Sequence, residues 1–267
     1  MRLRNLAAKT LIPLLCVPSA AFAANCGSPV TANSGPVSVS IVELYTSEGC
    51  DSCPPADKWF STLDHRKDGA LPLAFHVDYW DYIGWKDRFA KSIFTQRQRD
   101  TVTRQGGRTT YTPQVMLDGR DMGLWSYQSR FHSRVREIAS RTARASISID
   151  AKFAGQVVEA DVVATVSLPI DRADAAVFIA VTEDKLVSRV TAGENKGAVL
   201  KHDHVVRELI GPLAVDARDR AEGKFLLRRV VSLAPDWKVG DLSLVAFVQN
   251  ARTGEVLQAL STPLCRG

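Results

Sequence analysis

The chain has no uninterrupted apolar stretch of the length a membrane-spanning helix requires. It has no internal repeat and no low-complexity tract, which sets aside solenoids and biased disordered tails. Gly193, Asn195 and Gly197 read as a loop and fit no nucleotide motif. No Ser–His–acid order stands out, and no pair of carboxylates has surroundings that would mark a hydrolase. Cysteine is scarce, at 5 of 267 residues. Only Cys50 and Cys53 have CxxC spacing. A structural zinc site usually takes four ligands, and no second CxxC is there to complete one.

What is present begins with a removable segment. Arg2, Arg4 and Lys9 make a basic start, Leu11 to Val17 is a short apolar run, and Ala21-Phe22-Ala23 is a cleavage signal. Cleavage is expected after Ala23, at the end of a 1–23 signal peptide. Asn25 before Cys26 argues against a lipid anchor there. The mature protein is expected to be soluble and exported, periplasmic or secreted, with no stable membrane insertion. Losing the segment removes three basic and no acidic residues, so the formal net charge falls from +5 to +2. That small excess gives no case for nucleic-acid binding.

Cys16 leaves with the signal, and Cys26, Cys50, Cys53 and Cys265 remain. An even count in an oxidising compartment favours disulfides. The simplest pairing is Cys26–Cys265 as a structural clasp between the two ends, with Cys50–Cys53 as a redox pair. The entropy model gives so long a loop roughly 4–5 kcal/mol. The alternative is that the terminal cysteines are free or bridge other molecules, since spacing alone does not fix connectivity.

The mature length suits about two domains. After an N-terminal extension (24–36), residues 37–144 alternate strand-like and helix-like segments. The run from Val37 to Tyr45 reads as a strand, Pro55 to Arg66 as a helix, and Leu71 to Val77 as a second strand. Lys86 to Arg104 reads as a helix with Phe89, Ile93 and Phe94 on one face. Gln114 to Leu117 is a third strand closed by the turn Asp118-Gly119, and Ser126 to Ala143 a last helix capped by Ser126. Such alternation suggests a sheet covered by helices. Residues 145–267 have a different texture. The stretches 145–150, 157–166, 175–182, 224–233 and 242–249 alternate apolar and polar residues between turn signals, which predicts an all-β, sandwich-like domain.

The chemistry concentrates at Cys50-Asp51-Ser52-Cys53, after the first strand and before a helix opened by Pro54 and Pro55. A cysteine at a helix start meets free backbone N–H groups and the positive end of the helix dipole, both of which favour the thiolate. The thiolate is the reactive form. Cys50 is expected to attack a disulfide or be attacked, and Cys53 to resolve the mixed disulfide. Glu48 and Asp51 oppose thiolate formation, which predicts a moderately reducing couple rather than a strong oxidant. The rival view is a static disulfide.

Here the chain resembles the thioredoxin superfamily. Val42-Glu43-Leu44-Tyr45-Thr46 ahead of Cys50 is similar to the entry to a glutaredoxin site, and Thr112-Pro113-Gln114-Val115 with Asp118-Gly119 and Met122-Gly123 to that family's later signature. The resemblance implies that Pro113 is cis and faces the two sulfurs. The longer string from Glu43 to Asp57 resembles a bacterial family of secreted proteins labelled domain of unknown function 1223. So do His76-Val77-Asp78-Tyr79-Trp80-Asp81, Gly84-Trp85, Tyr111 to Gln114, Gly193 to Gly197, His202-Asp203 and Val205-Val206-Arg207. This implies an α/β thioredoxin-like domain followed by the β-rich one.

Two further clusters stand beside this. Trp80 and Trp85, with His76, Asp78 and Asp81, follow the second strand and could wall a cleft for a peptide or small thiol, with Thr112 at the same site. The plainer alternative is core or interdomain packing. His202 and His204 would point the same way on a strand and, with the cysteines, could bind copper or zinc. The plainer alternative is a polar strand edge. The reading that results is an exported thiol–disulfide oxidoreductase acting on a protein or small-thiol partner and needing no cofactor. Its rivals are a metal-handling protein that uses the cysteines and a histidine, and a non-catalytic binding scaffold.

Overall fold

The protein is described by a computed structural model covering residues 26, 28–213 and 217–265. The expected signal peptide, 1–23, lies outside the described residues. The strands are β1 (Val30–Asn33), β2 (Ser40–Thr46), β3 (Ala70–His76), β4 (Gln114–Leu117), β5 (Arg120–Asp121), β6 (Ala145–Ala154) and β7 (Val157–Val166). There follow β8 (Ala175–Glu183), β9 (Leu186–Arg189), β10 (Val199–His202), β11 (Val205–Ile210), β12 (Lys224–Ser232), β13 (Leu242–Asn250) and β14 (Val256–Pro263). The helices near the site are α1 (Pro54–Phe60), α2 (His65–Asp68), α3 (Ser92–Arg104) and α4 (Gln128–Ala139).

Strands β2 and β3 are buried at every position. Strands of that kind need neighbours on both edges and cover on both faces. They find them in one eight-stranded sheet of order β14-β13-β8-β11-β3-β2-β4-β5. β2 and β3 run parallel, and β11 joins β3 in parallel where Val205 meets Ala74. A second sheet has the order β1-β6-β7-β12, and β9 and β10 form an antiparallel hairpin.

This overturns the expectation of an α/β thioredoxin-like domain followed by a sandwich-like all-β domain. The described chain is mostly β, and its helices are few and short. The first-half strands do not close a sheet of their own. The free edge of β3 is taken by β11, and the sheet runs on into strands from beyond residue 175.

The side-chain alternation explains the layers. Ile41, Tyr45 and Phe75 share one face with Phe178, Ala180, Val245 and Phe247, and Phe94 and Val102 of α3 cover it. On the opposite face, Val42 and Leu44 pack against Trp59, Phe60, Phe131 and Val135 of α1 and α4. Further along that face, Val177, Ile179, Leu244 and Ala246 pack against Ile147, Ile149, Val162 and Phe225 of the four-stranded sheet. No described helix is long and apolar enough to cross a membrane.

Local chemistry shortens the predicted helices. The expected helix 55–66 stops at Phe60, and a separate turn, α2, is closed by Gly69 at φ 77°. The helix expected from Lys86 begins only at Ser92, because the Asp87 side chain takes the Phe89 amide at 2.9 Å. Such side-chain capture competes with helix formation. The last helix starts at Gln128 with Tyr127, not Ser126, before it.

The turn at Asp118-Gly119 locks the two halves together. A Cβ on Gly119 would lie 2.3 Å from the Gly254 carbonyl oxygen, and the buried Asp118 carboxylate accepts the Val256 amide at 2.7 Å. Burial lifts the Asp118 carboxyl to about 6 despite that bond. A folded-state value above the unfolded one means the folded protein holds the proton more tightly. Stability from this group is therefore full below about pH 4 and is lost as pH rises through about 6. The charged form costs on the order of 2 kcal/mol above that. Asp118→Asn keeps an acceptor, tolerates the φ of 54° at this position, and carries no charge. It should raise the melting temperature by about 5 °C at pH 8 and leave it unchanged near pH 4. A gain of equal size at both pH values would rule out the charge as its cause.

Candidate functional site

The end of β2 runs through Ser47, Glu48 and Gly49 into Cys50, whose amide donates to the Ser47 carbonyl at 3.2 Å. Cys50 and Cys53 are joined by a disulfide, and Cys53 is the residue that caps α1. Pro54 and Pro55 open the helix and have no N–H. The Ala56 and Asp57 amides bond back to the Cys53 carbonyl at 2.9 and 3.1 Å. The first turn thus holds no spare donor for Cys50, unlike the expectation from the sequence. The Ser52 hydroxyl, 3.3 Å from Cys50 Sγ, is the near polar group instead. Both cysteines are 0% exposed, whereas Asp51 and Ser52 between them face solvent.

The tryptophans buttress this turn. A Cβ on Gly49 would lie 3.1 Å from Trp80 Cβ and 3.2 Å from Ile83. The Trp80 indole N–H donates to Thr112 Oγ1 at 2.8 Å, and the Thr112–Pro113 peptide is cis. Trp80 therefore connects the CxxC turn to the Thr112-Pro113 turn. The Trp85 indole N–H donates to the Glu48 carboxylate at 2.8 Å.

A segment from the far half of the chain lies over the motif. The tip of the β9–β10 hairpin places Asn195 so that its amide donates to the Glu48 and Cys50 carbonyls at 3.0 and 2.9 Å. The Glu194 carboxylate accepts the Asp51 amide at 3.1 Å. Gly193, at φ 71°, lies so close to Ile83 and Trp85 that a Cβ would meet them at 3.2–3.3 Å. Residues 193–195 form a strap across the backbone of the CxxC turn at Glu48, Cys50 and Asp51.

Beside the motif is a buried cluster of Glu48, Asp57, His76, Asp87 and His202. His76 Nδ1 is 2.6 Å from Asp87, which also accepts the Glu48 amide at 2.9 Å. His202 lies 3.4 Å from Glu48 and 4.0 Å from Asp57, and its ring meets that of His76 edge-on at 4.9 Å. Burial pulls the His76 imidazole down, but Asp87, Asp57 and Glu48 outweigh it, and the net shift is upward. Burial pushes the Asp87 and Glu48 carboxyls up. The neighbouring histidines and hydrogen bonds win, and both end below their ordinary values. For Asp57 burial wins, and its carboxyl is raised. Asp57 Oδ2, Glu48 Oε1, His76 Nε2 and His202 Nε2 are buried without a hydrogen-bond partner.

The structure thus gathers Cys50, Cys53, Trp80, Trp85 and, through Trp80, Thr112 and Pro113. Cys26 and Cys265 form a separate disulfide. His202 and His204 do not share a face. β10 ends at His202, and His204 adopts φ 59° and points its ring to the Leu63 carbonyl at 3.2 Å. Among the described residues, no group of three or more His, Cys, Asp or Glu is placed to hold a metal ion. Sequence reasoning missed Asp57, Asp87, Glu194 and Asn195 and joined His202 to the cysteines only in the metal-binding alternative. No spacing rule links residues 48 and 202. The glycines flanking Glu194 were the one local signal of a tight loop.

A mostly β protein with a buried CxxC disulfide in a turn strapped by a distant hairpin is the class that this fold and site define. Residues 41–249 match the family of proteins of unknown function DUF1223, and the chain belongs to that family. No curated protein matches it. Two solved structures show the same fold at low identity. Protein AGR_C_4864 of Agrobacterium tumefaciens is 24% identical, with a TM-score of 0.56 over 85% of this chain and 95% of its own. HBP35 of Porphyromonas gingivalis is 16% identical, with a TM-score of 0.65 over 86% of this chain and 76% of its own.

Proposed function

We propose that this chain is an exported thiol–disulfide oxidoreductase that passes two electrons between the Cys50–Cys53 pair and a protein or small-thiol partner. The observation that carries the reading is the short-loop disulfide itself, set at a strand-to-helix turn among buried ionisable groups. A three-residue loop adds little chain entropy as a staple, so stability alone is a poor reason to close one. Export follows from the basic, apolar and Ala-Phe-Ala start of the sequence. With no amide from α1 and two nearby carboxylates, the Cys50 thiolate gains little stabilisation, which supports a moderately reducing couple.

Titration of the mature protein against glutathione tests this. Reversible exchange, abolished outright in Cys50→Ser with the fold retained, is the expected result. A potential close to that of a strong periplasmic oxidase would remove the reducing assignment. The complete burial of both sulfurs favours one second reading, a non-catalytic scaffold with an inert bond. A disulfide that yields only as the protein unfolds would establish that reading instead.

A further inference from the structure

Exchange begins when a thiolate attacks a disulfide sulfur, yet Cys50 and Cys53 are both 0% exposed. Some neighbour of the CxxC turn has to move first. The turn is bounded by α1, by the loop that carries Trp80, Ile83 and Trp85, and by the tip of the β9–β10 hairpin. α1 is fixed by the burial of Ala56, Trp59 and Phe60. The tryptophan loop is fixed by the indole bonds to Thr112 and Glu48 and by Asp81, which accepts the Asp87 amide at 3.1 Å. The hairpin tip differs from both. None of Gly193, Glu194, Asn195 and Lys196 is buried. Two polar side chains hold the tip to the backbone of the turn, through the Asn195 amide and the Glu194 carboxylate. Segments with few buried apolar contacts open at the least cost.

The rest of the hairpin is anchored, which confines the motion. Leu186, Ser188, Val190 and Leu200 are buried. At the base, the Asp184 carboxylate accepts the His204 amide at 2.7 Å and the Asp203 carboxylate accepts the Lys185 amide at 2.8 Å. The pairing of the two arms ends where the Gly197 amide donates to the Val190 carbonyl at 2.8 Å. Beyond that point the Lys196 amide donates to the Gly193 carbonyl at 3.3 Å, so the tip keeps its own turn. Gly193 and Gly197, at φ 71° and 91°, bracket it. Glycine passes between backbone regions closed to other residues, and a Cβ on Gly197 would stand in open space.

Building on the exchange reading above, we propose that the strap is a gate. Residues 193–196 lift from the CxxC turn before a partner reaches Cys50, and the bonds made by Asn195 and Glu194 set how often they do. With the strap lifted, one thiolate of a dithiol attacks Cys50 Sγ. A new sulfur–sulfur bond forms there, and the Cys50–Cys53 bond breaks with its electron pair on Cys53. The second thiolate of the dithiol then attacks its own sulfur in the mixed disulfide, and that bond's electron pair leaves with Cys50. The dithiol ends as a cyclic disulfide, and the two reduced cysteines take their protons from water. Gates of this kind set the rate in many enzymes whose chemistry is itself fast.

The test is the rate of reduction by a small dithiol in the wild type, Asn195→Ala, Glu194→Ala and Arg97→Met. Asn195→Ala removes two of the holding bonds and should speed reduction about tenfold. Glu194→Ala removes one and should speed it less, and both should keep the wild-type urea midpoint. Arg97→Met breaks the buried pair with Glu43 between α3 and β2 and weakens the fold as a whole, yet it should leave the rate unchanged. Amide exchange in the oxidised protein reads the gate without a strap variant. The Asp51 amide, held by Glu194, should exchange by a local opening that Arg97→Met does not hasten. A disulfide reduced in the folded wild type at the same rate as in both strap variants would overturn the gate alone. A rate that rises in Arg97→Met, in step with the lost stability, would mean that the disulfide is reached only by unfolding. That result would remove the exchange reading and the gate with it.

Discussion

Arg97→Met should cost the protein about 3–5 kcal/mol of stability and move its urea midpoint accordingly. Arg97 on α3 is 5% exposed and reaches Glu43 of β2, 1% exposed, with Nη2 at 2.5 Å from Oε1 and Nε at 3.2 Å from Oε2. Its guanidinium lies 5.1–5.6 Å from the ring centres of Phe75, Phe178 and Phe247. Gln249 Oε1 is 3.4 Å away, and Tyr45 donates its hydroxyl to the same Glu43. Removing the cation leaves the Glu43 carboxyl buried with only neutral partners, which is the expensive way to break such a pair. Replacing both, as Arg97→Met with Glu43→Gln, should recover most of the loss. A single-variant loss below about 1 kcal/mol would mean that the pair is hydrated in solution.

Severing the terminal disulfide should have the second large effect. Cys26 and Cys265 are 239 residues apart in sequence, so the bond closes nearly the whole described chain. In the entropy account a loop of that size is worth about 5 kcal/mol, because it restricts the unfolded chain more than the folded one. The bond also ties the chain just ahead of β1, in the four-stranded sheet, to the end of β14, the edge strand of the larger sheet. Cys26→Ser with Cys265→Ser should lower the melting temperature by roughly 10 °C or more, while leaving the glutathione titration of Cys50–Cys53 unchanged. A fall of only one or two degrees would show that the folded ends hold each other without it.

What was legible in the sequence was local. The stretches 145–150, 157–166, 175–182, 224–233 and 242–249 fall on β6, β7, β8, β12 and β13; β6, β7 and β12 each have one buried face and so a period of two, whereas β8 and β13 are buried on both faces. The flanking strand β2, buried at every position, was legible from its run of apolar and β-branched residues, and the CxxC turn from its cysteine spacing and the prolines after it. What failed was the assembly. Nothing in Leu71 to Val77 says that β11, far downstream, will occupy its edge, so the strand–helix alternation suggested an α/β layer that does not exist on its own. The partners of Glu48 and Asp57 were hidden likewise. His202 reaches them only because β10 runs beside α1, and a histidine in a polar strand shows no such thing in one dimension. Asn195 bonds to two carbonyls, and backbone acceptors leave no mark on the sequence of the segment that presents them.

The strap over Cys50 bears on the order in which the protein matures. Residues 193–195 are made more than a hundred residues after Cys53, so an emerging chain carries both thiols uncovered until the hairpin is made and folded. An oxidant meets them most easily in that interval, before the hairpin closes. Closing the hairpin thus leaves the two sulfurs harder to reach, in either oxidation state, than they are in the unfinished chain.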